Sequence, residues 1–471
     1  MVRPASRWLV CAGLFGIAVV MLAGCGKIRD PYRGTTSPVE AGLNTNDLID
    51  PAAQIEADSL GNVQELYAAA ERLKAGASPN HRPTAADPSR PRRSVLCISG
   101  GGALGAYPAG VVCGWTAHGD RPGCNGRPNF DVVTGISTGA LIAPLVFLGP
   151  QYDEEVRKFY TTVEKRDIFR LRPVRGLFSI ALADNAPLAG LVDEVLTEDK
   201  VQELAAEHRK GRRLYIGTTE LEGRRFVFWD LGAIACRGCP DDREMIKKIL
   251  LGSSAIPGFF PPARIPVTVD GKTYVEEHGD GGVSMGIFFR PPYIPPERWT
   301  PEGKDLHDVD LYMLVAGKLY SDAAPIKERS LTLAGSSVST IIYGQTRGDL
   351  QRMYLISILS GMSYNLAAIP PEFPAPMSST EFSRGPMTAM FDEGYRQAAA
   401  GTAWRKSPPG VEPGESMLGR AGTVLTEQPR GSSSGMVWDK KDSPIRFPAP
   451  GVGIAPGAMP IPVSPGTPIA R

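Results

Sequence analysis

The chain has 471 residues, 42% of them hydrophobic, enough for a sizeable core. Its 51 basic and 50 acidic side chains leave a formal net charge of +1, and no basic stripe or acidic run breaks that balance. This excludes a nucleic-acid-binding face and a solvating acidic tail. Gly (53) and Pro (43) together make up about a fifth of the chain, below the share that marks wholesale disorder, and much of it lies toward the two ends.

The first residues read as an address. Arg3 and Arg7 form a basic start, and Trp8 to Ala23 is an uncharged apolar stretch of 16 residues. That is short of the ~20 needed to span a bilayer. It ends in Leu22-Ala23-Gly24-Cys25, which resembles the bacterial lipobox, whose cysteine is acylated and becomes the mature N-terminus. The resemblance implies a signal peptide over 1–24, a lipid anchor on Cys25 and residence in the cell envelope. Gly26, where an aspartate would retain the protein at the inner membrane, leaves the outer membrane facing the periplasm as the expected address. A plain signal peptide that happens to contain a cysteine, or a short anchor, is the alternative.

Export leaves Cys97, Cys113, Cys124, Cys236 and Cys239 in an oxidising compartment, where pairing is expected. The expected bridges are Cys113–Cys124 and a local Cys236–Cys239 ring, with Cys97 a buried thiol. The pair Cys236–Cys239 has no second pair or nearby histidine to complete a zinc site, so no metal is expected.

Residues 25–93 read as an N-terminal extension, with helical spacing over Asn62 to Gly76 and a proline-rich linker from Ser78 to Arg93. The body, 94–404, opens on a buried-strand run, Val95 to Ser99, followed by a helix over Ala103 to Gly114 that tolerates Pro108 only near its first turn. A second strand is expected over Phe130 to Thr134 and a helix over Ala140 to Leu148. Arg212 to Asp230 reads as two strands around a Leu-Glu-Gly turn. A helix ending at Gly252, a short strand closing on Asp280, and a buried strand over Asp310 to Lys318 follow. Leu331 to Leu366 and Pro386 to Ala400 read as helical. The alternation predicts an α/β fold, a three-layer sandwich with a largely parallel central sheet. From 405 to 471 Pro, Gly and Ser dominate, which predicts a disordered tail.

Three motifs carry chemistry, each expected at a strand end. Gly135-Ile136-Ser137-Thr138-Gly139 fits G-x-S-x-G, in which a sharp strand-to-helix turn lifts a serine clear of the sheet. The helix that follows aims free N–H groups and its positive dipole end at the site. Gly100, Gly102 and Gly105 also fit the dinucleotide pattern G-x-G-x-x-G, but the acidic residue at the right spacing, Asp120, sits in a loop rather than closing a strand. The alternative is an oxyanion hole, because consecutive glycines let backbone N–H groups converge on one oxygen. Asp280-Gly281-Gly282 suits a carboxylate on a tight turn, and is equally an ordinary Asp-Gly turn.

In this order the three motifs resemble those of the patatin-like phospholipases, over about Val95 to Gly282. The segments "GTTELEGRRFVF" and "SSAIPGFFPP" resemble that family's central hairpin and the loop ahead of its aspartate. The resemblance implies a serine acyl hydrolase acting on lipid or other acyl esters without a cofactor. Ser137 would be the nucleophile, Asp280 its base, and Gly100, Gly101 and Gly102 the oxyanion hole, with Gly105, Gly135, Gly139, Gly281 and Gly282 shaping the turns. The family often carries arginine or lysine just before the last glycine of the first motif. Here that position is Leu104, so a positive charge is missing and headgroup preference is open.

Two other readings stand beside this one. An ordinary α/β-hydrolase triad would add a histidine, with His307 in the expected order after Ser137 and an aspartate. A lipid-anchored binding protein on a hydrolase-like fold would need no chemistry at all. His81, His118, His208, His278 and His307 are all expected to be partly exposed polar residues.

Overall fold

The computed structural model describes residues 92–172, 180–269, 272–289, 308–320, 330–374 and 379–411. The signal-like segment, Cys25, the helix expected over Asn62 to Gly76, His81, His307 and the tail beyond 411 lie outside the described residues.

Strand β1 (Arg93–Ile98) passes through a glycine loop into helix α1 (Ala106–Gly119), and β2 (Val132–Ile136) turns at Ser137 into α2 (Thr138–Leu148). Helices α3 (Asp153–Thr162) and α4 (Lys165–Ile168), a two-residue ribbon of β3 (Arg170–Leu171) and β4 (Ala183–Asp184), and helices α5 (Ala186–Val195) and α6 (Glu198–Arg209) follow. The hairpin β5 (Arg213–Glu220) and β6 (Arg225–Asp230) leads through α7 (Leu231–Ala235) and α8 (Asp242–Ser253) to the antiparallel pair β7 (Ala263–Val269) and β8 (Lys272–Asp280). Strand β9 (Val309–Lys318), the long helix α9 (Ser330–Ser360), β10 (Ser363–Ile369) and α10 (Arg384–Ala399) complete the body.

The main sheet runs in the order β10-β9-β1-β2-β5-β8-β7, with β6 also paired to β5. The pairs from β10 through β5 are parallel, and those among β5, β6, β8 and β7 are antiparallel. The fold is therefore α/β with a mostly parallel central sheet. Alternation along β1 shows why its sequence is an unbroken apolar run. Val95 and Cys97 face a core with Ile136, Met313, Leu350 and Met353, beneath α9. Leu96 and Ile98 face the opposite core, with Val133, Leu214 and helices α1, α2 and α10. A strand buried on both faces has no polar positions to alternate with.

Several sequence expectations need correcting. The second strand begins at Val132 rather than Phe130, which packs as a buried side chain just ahead of it. The helix expected to reach Leu366 ends at Ser360. Gly361, at φ 76°, terminates it in the left-handed conformation that glycine adopts without a Cβ penalty. Residues Ser363–Ile369 then form an edge strand. The body also extends past 404: Arg405 exchanges backbone hydrogen bonds with Leu366 at 2.9 Å in both directions, and Ser407 to Pro409 are buried.

The expected disulfides are absent. All five described cysteines are free thiols. Cys113 is buried on α1 and its thiol reaches the Asp153 carbonyl at 3.4 Å, away from Cys124. Cys236 points at the Ala205 carbonyl, also at 3.4 Å, while Cys239 is exposed. Cys97 is fully buried, as expected, and burial pushes its thiol up to about 12.

Candidate active site

Ser137 stands between β2 and α2 with φ 53° and ψ −121°, one of two non-glycine residues with positive φ among those described. Such a conformation costs of order 1–3 kcal/mol and persists only where its surroundings over-determine it. Here they do. The Ser137 N–H donates to Ser253 Oγ at 3.0 Å, and that hydroxyl donates on to the Gly217 carbonyl at 2.6 Å. Ser254 Oγ donates to the Ser137 carbonyl at 3.2 Å. The flanking glycines are required by close approach. A Cβ on Gly135 would meet the Gly139 carbonyl oxygen at 2.5 Å, and one on Gly139 would collide with the Ile98 carbonyl of β1.

Asp280 ends β8 opposite Thr218 of β5. Its carboxylate accepts the Gly282 N–H at 2.8 Å, and the neighbouring Ser137 hydroxyl favours its charged form. Its backbone N–H donates to the Ala255 carbonyl at 2.8 Å, and its carbonyl accepts from Thr219 Oγ1 at 2.9 Å. The loop Ser253–Ala255 thus holds both the serine turn and the aspartate. Burial is the main force on the Asp280 carboxyl and pushes it up to about 6, against the Ser137 hydroxyl and the Gly282 N–H, which favour its charged form.

Gly100, Gly101 and Gly102 leave the end of β1 beside Ser137, so close that a Cβ on Gly100 would lie 2.9 Å from that of the serine. Gly102 has φ 55°, and a side chain there would also strike the Ser379 carbonyl. The next N–H, of Ala103, is used by Ser379 O at 2.8 Å, and that of Leu104 by Gly101 O at 3.1 Å. The N–H groups of Gly100, Gly101 and Gly102 have no acceptor among the described residues. Gly105 closes the 3-10 turn that follows, against Thr138, and Gly281 opens another packed on the Gly217 carbonyl.

Ser137, Asp280, Gly282 and the three loop glycines all line one cavity of about 390 Å³. Its far wall comes from the end of β9 and from α9, including Tyr343, Thr346 and Arg347. A narrow apolar cavity of about 40 Å³ leads inward from Ser137 past Leu141, Phe159 and Tyr160. Those three side chains also line a second one of about 30 Å³, between α2 and α5. Val283, 41% exposed, and Ile341, 64% exposed, flank lining residues of the main cavity.

Residues 96–293 match the family model described as Patatin-like phospholipase. The chain carries a patatin-like phospholipase domain. Such a domain implies lipid acyl hydrolase activity, that is, hydrolysis of carboxylic esters. A search of curated proteins returns no match. Among solved structures, the chain is similar to the crystal structure of VipD from Legionella pneumophila, at 13% identity over 66% of this chain and 67% of that one, with a TM-score of 0.31.

Of the three described histidines, only His278 departs from expectation. His118 and His208 are partly exposed on the patatin-like domain and its flank. His278 is fully buried, against the expectation of a partly exposed residue. Its Nδ1 pairs with Thr218 Oγ1 and its Nε2 with Glu276 Oε2, both at 2.9 Å. Arg225 bridges Glu276 and Glu220 in the same buried cluster. Both ring nitrogens are engaged away from Ser137. Sequence reasoning missed the positioning roles of Ser253 and Ser254; the only signal was their place in the segment ahead of the aspartate.

Proposed function

We propose that this protein is a serine acyl hydrolase of lipid esters that works through a Ser137–Asp280 dyad. The observation that supports this best is that Ser137 and the buried Asp280 carboxylate line one cavity, beside three glycine N–H groups that have no acceptor among the described residues. In the first half-reaction Ser137 Oγ attacks the ester carbonyl carbon while Asp280 takes the hydroxyl proton. The carbonyl oxygen becomes an oxyanion held by the N–H groups of Gly100, Gly101 and Gly102. Collapse breaks the C–O bond to the alcohol, which leaves with the proton from Asp280. In the second half-reaction Asp280 takes a proton from water, whose oxygen attacks the acyl-serine carbonyl. Collapse releases the fatty acid and returns the proton to Ser137. The base sits near its working range, because a carboxyl at about 6 is ionised at neutral pH yet basic enough to accept a proton.

The decisive experiment compares Ser137→Ala and Asp280→Asn with the parent protein on a short acyl ester. Each should lose nearly all activity with circular dichroism unchanged. Activity retained in folded Ser137→Ala would leave a binding protein as the better reading.

The sequence Leu22 to Cys25 supports a second element of the proposal, anchoring of the mature chain through acylated Cys25 at the envelope, on the outer membrane facing the periplasm. No helix among the described residues is long and apolar enough to cross a membrane. Cys25→Ser should abolish metabolic labelling with palmitate, and labelling that persists would overturn the anchor.

A further inference from the structure

The cavity that holds Ser137 is lined by few ionisable side chains. Beyond Asp280, which the dyad uses, the charged ones are Lys318 at the end of β9 and Arg347 on α9. The Lys318 ammonium already donates to the Pro371 carbonyl at 3.0 Å. Arg347 is placed differently. Its guanidinium lies over the rings of Tyr320 and Tyr343, at 5.2 and 5.8 Å from their centroids. Its one side-chain hydrogen bond among the described residues is a long one to the Tyr343 hydroxyl, at 3.5 Å. It has no carboxylate partner among the described residues. The nearest acid on its own helix, Asp349, is taken by Arg352 at 2.8 Å and by the Gly286 N–H at 2.8 Å.

Two aromatic faces thus fix a guanidinium at the wall of the catalytic cavity while leaving its N–H fork unspent. That is what recognition of a phosphate oxyanion needs. The planar fork matches two phosphate oxygens at once, and ring stacking removes the entropy that a free arginine would lose on binding. Leu104, on the glycine loop, lines the same cavity without adding a charge. Arg347 lies outside the matched segment 96–293.

We infer that Arg347 is the headgroup-reading residue of this enzyme: it binds the phosphate of the substrate lipid and selects phosphate-bearing lipids over neutral acyl esters. This rests on the reading of Ser137 and Asp280 as the catalytic pair, and the test separates the two. The purified protein, with Arg347→Gln and Arg347→Lys variants, would be assayed on phosphatidylglycerol and on diacylglycerol with the same acyl chains, in matched mixed micelles. The expected result is a parent that prefers the phospholipid, and a phospholipid-to-diacylglycerol ratio of kcat/KM that falls about tenfold or more in Arg347→Gln. Arg347→Lys, which keeps the charge and loses the fork, should fall between. An unchanged ratio in Arg347→Gln would overturn the inference. So would equal losses on both substrates, the mark of a structural role. A free-phosphate ligand would show instead as inhibition of diacylglycerol hydrolysis by inorganic phosphate that Arg347→Gln relieves, with the ratio unmoved, and this too would overturn it. If the parent hydrolyses neither lipid while Ser137→Ala is indistinguishable from it, the catalytic reading falls first and the headgroup role with it.

Discussion

The backbone N–H of Ser137 is held by the hydroxyl of Ser253 at 3.0 Å, so the strained turn that presents one serine is pinned by another. Ser253 is fully buried and donates its own hydroxyl to the Gly217 carbonyl of β5. Ser253→Ala would leave the Ser137 donor and the Gly217 acceptor without this partner, at a cost of about 1–3 kcal/mol. The turn would then relax toward commoner dihedrals. We expect kcat to fall about tenfold, with KM changed much less, measured on a short acyl ester alongside thermal denaturation. A variant with full kcat would show that the turn holds without Ser253.

Asp280 accepts a proton only when ionised, and burial has raised its carboxyl to about 6. The rate should therefore rise with pH through about 6 and be lost below it, whereas an unperturbed aspartate would keep the enzyme active to about pH 4. The measurement is kcat/KM against pH. Asp349, also buried and raised to about 6, is a second candidate for that limb. Asp349→Asn should leave the midpoint in place, because Asp349 holds the Gly286 and Ile287 backbone rather than the serine. A midpoint that moves with Asp349→Asn would reassign the titration.

His278 belongs to a structural cluster. Replacing it with glutamine should destabilise the fold by about 1–3 kcal/mol, read as a lower midpoint in urea, by disturbing its bonds to Thr218 and Glu276. Ester hydrolysis should persist in the folded variant. A folded His278→Gln as inactive as Ser137→Ala would replace the dyad with a triad.

The parts of the site that depend on local geometry were legible in the sequence. Gly135 and Gly139, on either side of Ser137, announce a turn because no side chain fits beside the neighbouring backbone, and Asp280 announces itself through the glycines that follow. The buried strand β1 was legible because both its faces need apolar side chains. What depends on distant packing was not. His278 follows Glu276 and Glu277, which reads as a solvated stretch, and only the fold brings Arg225 and Thr218 to meet it. Strand β7 contains Pro266, which argues against a central strand, and it forms because it is the sheet's edge. Strand β10 follows α9 after only Gly361 and Met362, too brief a signal to separate from the helix. Arg347 lies far along the chain from every motif, and nothing in its neighbours marks it.

Leu141 lines both narrow apolar cavities, the one beside Ser137 and its neighbour between α2 and α5. If the acyl chain enters there, Leu141→Trp should block it. The ratio of kcat/KM for a hexadecanoyl ester over a butanoyl ester should drop by about tenfold or more, since each methylene excluded from an apolar pocket is worth about 1 kcal/mol or more. An unchanged ratio would place the chain in the larger cavity instead.

The account turns on Ser137 being a nucleophile made reactive by Asp280. The most direct test is covalent labelling with a fluorophosphonate, followed by peptide mapping of the adduct and its rate of formation. The account predicts a single adduct on Ser137 in the parent, none in Ser137→Ala, and labelling slowed at least a hundredfold in Asp280→Asn. An adduct on another residue, or Asp280→Asn labelled at the parent rate, would contradict it.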